Sequence, residues 1–255
     1  MIIKKIIDYK DWKFNFDWIE ITPYQQTQFI IWAKKHYKAW AEKQYKIWVE
    51  KHYNLLIKKN HYDFTNTQYN KVKTICSLLE DVNTVYDIGG NIGMYSTFFK
   101  HFLPNAQIYG FEPLPNTFKL AKENTKNTNI NWFNLGLWDK EGDVTLNVPK
   151  GKNQSTNYGA FWDDIEPNVS QTVNMTTLDK IIDQLGVIPD FIKIDVEGGE
   201  YKVLTGGLNN IEKIKYIMVE WRVNPEPVNK LLIEKGFIKL KTIDKFDIIY
   251  INTNI

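Results

Sequence analysis

Charged side chains alternate along one apolar segment in the second half of the chain. Lys193, Asp195 and Glu197 are two residues apart, so a strand would place all three on one face. Burying such charges is costly unless they are paired or used in chemistry. Glu220 ends the next apolar run, and in open α/β sheets the carboxyl ends of the strands face the ligand crevice. The pattern predicts either a pocket whose carboxylates accept a proton from a substrate or a structural ion-pair network that includes Lys193 and Arg222.

A strand that turns into a helix over glycines forms a second candidate site. The segment Val85–Gly93 contains an apolar run, then Asp87, then three glycines. Glycine allows a ligand to lie against bare backbone, and the following helix offers free amide groups. The spacing differs from the Gly-x-Gly-x-x-Gly fingerprint of dinucleotide sites. Asp87 is expected to hold the turn or to meet a ligand ammonium through water. A plain strand–turn–helix joint is the alternative.

An acid at the end of the next apolar run favours a bound ligand. Glu112 follows Ile108–Phe111, nineteen residues after Gly93. An acid at the tip of a second strand can accept hydrogen bonds from both hydroxyls of a ribose. Turn and acid together predict a nucleoside site without a pyrophosphate, for which S-adenosylmethionine is the common ligand. The expected donor-site residues are Asp87, Gly89, Gly90, Asn91, Gly93, Glu112, Pro113, Gly136, Leu137 and Asp195, with backbone at Gly136 and Leu137 reading the adenine and Asp139 holding that loop.

Alternating strand and helix patterns must position these residues. From Val82 onward the alternation is typical of a mainly parallel sheet with helices on both faces. Strands are expected near 84–88, 106–111, 130–135, 144–148, 190–195, 214–220, 236–241 and 246–252, and helices over 66–80, 94–103, 115–127, 176–185, 199–208 and 225–235. The polar segment 149–168 is expected to be a functional loop.

Residues 1–80 differ from the rest and are predicted to form a helical, aromatic-rich extension of a domain at 81–255. Tyr24–Lys59 contains neither glycine nor proline, and an eight-residue near-repeat of tyrosine, tryptophan and lysine occurs within it. Eight residues exceed two helical turns, so the apolar stripe spirals around the helix. A long, solvated helix with aromatic anchors is the expected structure. Packing of the stripe on the catalytic domain and on another copy of the chain is an alternative, and attachment to a membrane surface is less favoured.

Composition restricts the remaining possibilities. The chain has 255 residues, a formal net charge of +2 and a single cysteine, Cys76. It can form no intrachain disulfide, and its charge gives no reason to expect a nucleic-acid partner. A signal-peptide core and an apolar run long enough for a membrane span are both absent from the sequence, so a cytoplasmic location is expected.

Four motifs in order resemble the FkbM family of S-adenosylmethionine-dependent methyltransferases. They are Asp87–Gly93, Gly110–Pro113, Thr177–Asp179 and Lys193–Glu200, and the resemblance covers roughly 82–222. It implies the class I methyltransferase fold, a Rossmann-like α/β fold with seven mainly parallel strands in the order 3-2-1-4-5-7-6 and the last strand antiparallel. It also implies O-methylation of sugars or natural products, with S-adenosylhomocysteine as a product. Many members carry histidine or alanine where this chain has Gly199, so a histidine base is not available at that position.

The acceptor is expected to be a sugar, in particular a nucleotide-linked sugar for a capsule or surface glycan. Asp195 and Glu197 are the expected bases, Glu220 is the next candidate, and Lys193 is expected to hold a carboxylate or orient the hydroxyl. The expected acceptor-site residues are Asn153, Ser155, Asn157 and Tyr158 for hydrogen bonding, Trp162 for stacking on a sugar and Arg222 for a phosphate.

Several other functions remain open on sequence grounds. Methylation of another natural product and a non-catalytic nucleoside-binding partner protein are alternatives. A nicotinamide-dependent oxidoreductase is disfavoured because Asp87 stands where that fingerprint requires glycine. A nucleic-acid methyltransferase is disfavoured by the mild charge. A divalent cation shared by Asp195, Glu197 and Glu220 is possible but is not favoured, because no ordered metal-loop signature accompanies them.

Overall fold

The computed structural model describes residues 59–149, 168–221 and 225–255. The predicted aromatic helix over residues 24–59 lies outside these ranges except for Lys59, as do its possible contact with another copy and its membrane alternative. No helix in the described ranges combines the length and the apolar character needed to cross a bilayer.

Strands and helices alternate along the described chain, and we number them in order. The strands are β1 (Thr84–Ile88), β2 (Gln107–Phe111), β3 (Ile130–Phe133), β4 (Gly136–Trp138), β5 (Gly142–Pro149), β6 (Asn168–Thr177), β7 (Phe191–Ile194), β8 (Tyr216–Glu220), β9 (Phe237–Thr242) and β10 (Asp247–Asn252). The helices are α1 (Lys59–Cys76), α2 (Met94–Phe102), α3 (Pro115–Asn124), α4 (Leu178–Leu185), α5 (Glu200–Thr205) and α6 (Glu226–Glu234), and a short 3₁₀ helix covers Ile211–Lys213.

A seven-stranded sheet forms the centre of the molecule, in the order β3-β2-β1-β7-β8-β10-β9. Its strands pair in parallel from β3 to β8, and β10 is antiparallel to both β8 and β9. Counted along the chain, the seven strands have the order 3-2-1-4-5-7-6. The predicted class I methyltransferase fold is therefore confirmed.

Apolar side chains cover both faces of this sheet, as buried parallel strands require. On one face, side chains of β1, β7 and β8 pack in a large cluster with α4, α5 and α6. On the other face, the Phe99 ring of α2 lies edge-on to Phe191 of β7, with ring centroids 5.4 Å apart. The alternation along β1 and β7 places Asp87 and Lys193 on this second face, in direct register with each other.

Helix α1 packs on the same face as α2. The ring of Tyr69 meets Phe98 at 5.4 Å, and Val72 and Ile75 are completely buried. The helix covers Lys59–Cys76, whereas the sequence pattern predicted 66–80. It belongs to the same compact unit as the sheet. A domain boundary near residue 80 remains a prediction.

A second sheet has three strands in the order β4-β6-β5. Of these, the sequence patterns predict only β5, as a strand near 144–148. Strand β6 occupies a stretch with no predicted strand, and the helix expected from residue 176 begins at Leu178, where the Thr177 hydroxyl accepts a hydrogen bond from Lys180 N. Over Ser170–Thr177, where the side chains of β6 are described, the buried apolar side chains alternate along the strand, at Val173 and Met175. One exposed face makes such a strand look like a polar loop in the sequence.

Candidate active site

Acidic side chains gather at the edge where the parallel strands end. Asp87 is in β1, Glu112 follows β2, Asp195 follows β7 and Glu220 ends β8. The antiparallel β10 begins at this same edge, and its first residue, Asp247, is the register partner of Glu220. Strand topology therefore brings the predicted acids to one place, which is where open α/β sheets bind ligands.

Lys193 and Asp87 form a buried ion pair below this edge. Lys193 Nζ lies 3.0 Å from Asp87 Oδ1 and 3.3 Å from Asp195 Oδ2, and it donates to the carbonyl of Gly89. The other oxygen of Asp87 accepts from the Ser96 hydroxyl at 2.6 Å. Asp87 is completely buried and holds Lys193, which in turn contacts the glycine turn. Its expected contact with a ligand ammonium stays a prediction.

Lys193 remains charged in this setting. Burial lowers the pKa of its ammonium, but the nearby charges of Asp87 and Asp195 outweigh burial and raise the pKa above its ordinary value. The face of the Tyr95 ring lies 4.9 Å from Nζ, and the Tyr95 hydroxyl donates to Gln68 of α1 at 2.6 Å. A cation held this firmly cannot act as a proton acceptor, and it orients Asp195.

Glu112 joins the two turns that follow β1 and β2. Its Oε2 accepts from Asn91 N and its Oε1 accepts from Leu114 N, each at 3.0 Å. The Asn134 side chain donates to the carbonyls of Glu112 and Pro113 and so holds this segment from β3. Burial raises the pKa of Glu112 to about 7, although both backbone hydrogen bonds lower it. Each oxygen keeps a further acceptor position for a ligand hydroxyl.

The packing of the protein itself requires the glycines of the first site, and their expected contact with a ligand stays a prediction. A Cβ on Gly89 would overlap the carbonyl oxygen of Asp195. A Cβ on Gly90 would lie 2.6 Å from the Trp132 ring, and one on Gly110 would lie 2.5 Å from it. A Cβ on Gly93 would lie 3.1 Å from the same ring. The Trp132 ring therefore packs directly against the glycine turn after β1.

The predicted adenine-reading residues lie in β4. Gly136 and Leu137 are buried and pair with β6. A Cβ on Gly136 would overlap Met175 and lie 3.4 Å from Pro113, so β4 runs beside the segment that carries Glu112. Asp139 follows β4 and pairs with Lys202 of α5 at 2.6 Å, which ties this loop to the second turn of the site.

The turn after β7 is strained and is held from within. Glu197 has φ 57° and Gly198 has φ 105°. Glu200 Oε1 accepts from Val196 N and Gly198 N, at 3.2 and 3.0 Å, and burial raises the pKa of Glu200. Asn91 and Glu197 are two of the three non-glycine residues with positive φ in the described ranges, and each lies in one of the two turns. Backbone strain of this kind clusters at functional sites.

Four residues of this edge were missed from the sequence. They are Gln68 and Lys71 of α1, Tyr95 of α2 and Asp247 of β10. Asp247 opens an apolar strand that was predicted, and the antiparallel direction that the family resemblance implies for this last strand puts its first residue at the active edge. Nothing local in the sequence indicates that Gln68 and Lys71 reach this edge.

The predicted acceptor-binding residues belong to two segments of the chain, 153–162 and Arg222. Asn153, Ser155, Asn157, Tyr158, Trp162 and Arg222 all lie outside the described residues. Within the described ranges, no three histidine, cysteine, aspartate or glutamate side chains are grouped so that they could hold a metal ion. The arrangement of Asp195, Glu197 and Glu220 therefore gives no support to a shared cation.

Known proteins with similar sequences are methyltransferases. The chain is 26% identical over 168 residues to the hexuronic acid methyltransferase AglP of Haloferax volcanii, covering 64% of this chain and 66% of that protein. It is 27% identical over 168 residues to the 2-O-methyltransferase NoeI of Sinorhizobium fredii, covering 58% of this chain and 68% of that protein. The chain thus spans about two thirds of the length of these relatives. Among solved structures, a putative caffeoyl-CoA O-methyltransferase from Staphylococcus aureus matches with a TM-score of 0.47 and 13% identity, over 83% of this chain and 99% of that one.

A family model matches the segment of the chain that contains the candidate active site. Residues 87–246 match the family model of the methyltransferase FkbM domain. This range includes Asp87, Glu112, the Lys193–Glu200 turn and Glu220, and it ends one residue before Asp247. The family resemblance of the sequence motifs is confirmed: the chain belongs to the FkbM methyltransferase family.

Proposed function

We propose that this protein is an S-adenosylmethionine-dependent O-methyltransferase that acts on a sugar hydroxyl. The observation that carries the proposal is the position of Glu112. Its carboxylate closes the turn after β1, contacts Asn91 N and Leu114 N, and keeps free acceptor positions at the ligand edge of the sheet. This arrangement suits the hydroxyls of a ribose.

Asn91 supplies a second feature that fits the donor. Its side-chain Oδ1 is buried without a hydrogen-bond partner among the described residues. An unsatisfied acceptor in a binding turn suits the N–H or O–H donors of a nucleoside or an amino-acid ammonium. Asp195, a quarter exposed at the same edge, suits a positively charged sulfonium. The residues present therefore fit S-adenosylmethionine.

The acceptor class is inferred from the acids and from the relatives. One relative is described as a hexuronic acid methyltransferase and another as a 2-O-methyltransferase. Asp195, Glu197 and Glu220 lie where the strands end and can accept the proton that a hydroxyl loses. We propose that the acceptor is a nucleotide-linked sugar of a capsule or surface glycan, seated under the segment 150–164, and that the reaction occurs in the cytoplasm.

The chain contributes positioning and proton transfer to the reaction. S-adenosylmethionine supplies a methyl group already activated on a sulfonium. Holding an acceptor oxygen in line with that group can provide about 7–11 kcal/mol of the barrier. Asp195 or Glu197 then takes the hydroxyl proton, which adds roughly 10²–10⁴-fold. Lys193 stays protonated and fixes Asp195, and the strained backbone at Glu197 aims its carboxylate.

Cofactor binding and turnover test this proposal in two steps. S-adenosylhomocysteine should raise the melting temperature, and NAD should not. Labelled S-adenosylmethionine is then incubated with a panel of free and nucleotide-linked sugars, and mass spectrometry identifies the methylated product. Asp195→Asn and Glu197→Gln should lower kcat, whereas Glu123→Gln, an exposed change on α3, should not.

Two outcomes would redirect the proposal. Binding of S-adenosylhomocysteine without turnover on any acceptor would favour a non-catalytic partner protein. An unchanged Michaelis constant for every nucleotide-linked sugar in Arg222→Ala would argue against recognition of a phosphate by this residue.

A further inference from the structure

Helix α1 reaches the active edge through Lys71. Its Nζ lies 2.7 Å from Asp244 Oδ2, in the turn between β9 and β10, and it also forms an ion pair with Asp247. The side chain of Asp247 is only 2% exposed, whereas that of Asp244 is 43% exposed. The buried member of this triad is therefore Asp247, and Lys71 is its cation.

Asp247 places this triad beside a candidate base. Asp247 and Glu220 are direct register partners in the antiparallel pair of β10 and β8. Side chains of directly opposed residues lie on the same face with their Cβ atoms about 4.5–5.5 Å apart, and like charges in such a pair are destabilising. The charge state of Asp247 therefore acts directly on Glu220.

The groups around Asp247 come from four elements. Lys71 faces it from α1, Asp244 from the β9–β10 turn, Glu220 from β8 and Tyr95 from α2. Burial raises the pKa of Asp247 to about 6, and the charge of Lys71 acts in the opposite direction. Burial likewise lowers the pKa of the Lys71 ammonium, but Asp247 and Asp244 outweigh it, so Lys71 remains charged. Without this cation, Asp247 would be a buried and uncompensated acid next to Glu220.

We propose that Lys71 is a positioning residue of the acceptor site, because it neutralises Asp247 and so leaves Glu220 charged and directed at the acceptor hydroxyl. The inference rests on the proposed function and extends the site to a helix that precedes the family match at 87–246. A merely structural role, in which Lys71 anchors α1 to the sheet, would affect stability alone.

The test compares Lys71→Met, Lys71→Met with Asp247→Asn, and the control Lys73→Met, an exposed change on the same helix. Displacing a catalytic group by about 1 Å can cost 10²-fold, so Lys71→Met should lower kcat by about 10- to 100-fold. Its Kd for S-adenosylhomocysteine should stay unchanged. The carboxyl ¹³C resonance of Glu220 should titrate at higher pH in Lys71→Met, because Asp247 has lost its cation and only the Lys193 charge still acts on Glu220. Asp247→Asn should restore both the titration and part of kcat.

Each outcome decides a separate question. Unchanged kcat and an unchanged Glu220 titration in folded Lys71→Met would overturn the role of Lys71 while leaving the proposed function intact. A wild-type protein inactive on every hydroxyl would contradict the proposed function, and the titration would still show whether Lys71 controls Glu220. If Lys71→Met does not fold, Asp247→Asn alone should move the Glu220 titration to lower pH, and no movement would refute the inference.

Discussion

At the scale of a single residue, the burial of Glu112 raises the pKa of a carboxyl group that is proposed to bind the ligand. The free protein holds this acid with two backbone hydrogen bonds, yet burial raises its pKa to about 7. A ribose that donates two hydroxyl hydrogen bonds would stabilise the charged form. Ligand binding at neutral pH is therefore coupled to the proton on Glu112.

The affinity for S-adenosylhomocysteine should consequently depend on pH. Binding lowers the pKa of Glu112, so a protonated Glu112 must release its proton when the ligand binds. Below about pH 7 the Kd should rise by up to about tenfold per pH unit, until the lower pKa of the bound form is reached. Calorimetric titration between pH 5.5 and 8 measures this dependence.

A matched pair of variants assigns the effect to Glu112. Glu112→Gln should bind weakly and without this pH dependence, whereas Glu123→Gln on α3 should behave as the wild type. A flat Kd in the wild-type protein over this range would contradict a ribose contact by Glu112.

At the scale of secondary-structure elements, the indole of Trp132 contacts β2, the turn after β1 and the end of α3. Trp132 of β3 lies against Gly110 of β2 and against Gly90 in the turn after β1, and its Nε1 donates to the Thr125 hydroxyl, which follows α3, at 2.8 Å. Glycine is required at these positions because the ring occupies the space that a side chain would need. The shape of the donor turn therefore depends on the packing of a third strand.

Gly110→Ala should destabilise the protein through this contact. Its Cβ would lie 2.5 Å from the Trp132 ring, and overpacking of a core typically costs about 1–3 kcal/mol in the free energy of unfolding. In a Trp132→Leu background, the same substitution should cost much less. Chemical unfolding of the four proteins of this cycle measures the coupling. Equal costs in both backgrounds would show that Trp132 does not set the requirement for glycine.

At the scale of the whole molecule, α1 belongs to the folded core of the described chain. Ile75 and Val72 are completely buried, although both precede the family match. Ile75→Ala should lower the free energy of unfolding by about 2–5 kcal/mol, as in other cores. Leu120→Ala, an exposed change on α3, is the control. A cost for Ile75→Ala no larger than that of the control would mean that α1 is a dispensable appendage.

Buried acids should also make the stability of the free protein fall as the pH rises. Burial raises the pKa of Glu112 to about 7 and that of Asp247 to about 6, so the folded state holds protons that the unfolded chain releases. The contribution of these two acids to the free energy of unfolding is complete below the pKa values they have in the unfolded chain. It is lost as the pH rises through their raised pKa values in the folded protein. Asp244 has a pKa lowered to about 2 despite its partial burial, through its hydrogen bond to Lys71, and does not titrate in this window.

Thermal unfolding from pH 5 to pH 8 measures this effect. The melting temperature should fall across the range, and Glu112→Gln combined with Asp247→Asn should flatten the curve. A melting temperature that rises with pH in the wild type would contradict the raised pKa values of the two acids.

Local patterns were sufficient to predict a mainly parallel sheet with helices on both faces and the acids at its edge, whereas the strand order was implied by the family resemblance. Strand β7 was predicted from its apolar run, and Asp195, Glu197 and Glu220 follow from where two such runs end. Strand β6 was missed because one exposed face makes it resemble a polar loop. The roles of Asn153 and the other predicted acceptor residues stay predictions.

The sequence by itself determined the order of strands and helices, the family and the position of each acid on its strand, because these depend on periodicity and on short motifs. Only the tertiary structure decided which groups meet across elements. It brought Lys71 to Asp247, seated Trp132 on the glycines of the turn and paired Lys193 with Asp87. The physical reason is that such contacts depend on strand register and helix packing between residues far apart in the chain, which leave no local pattern to read.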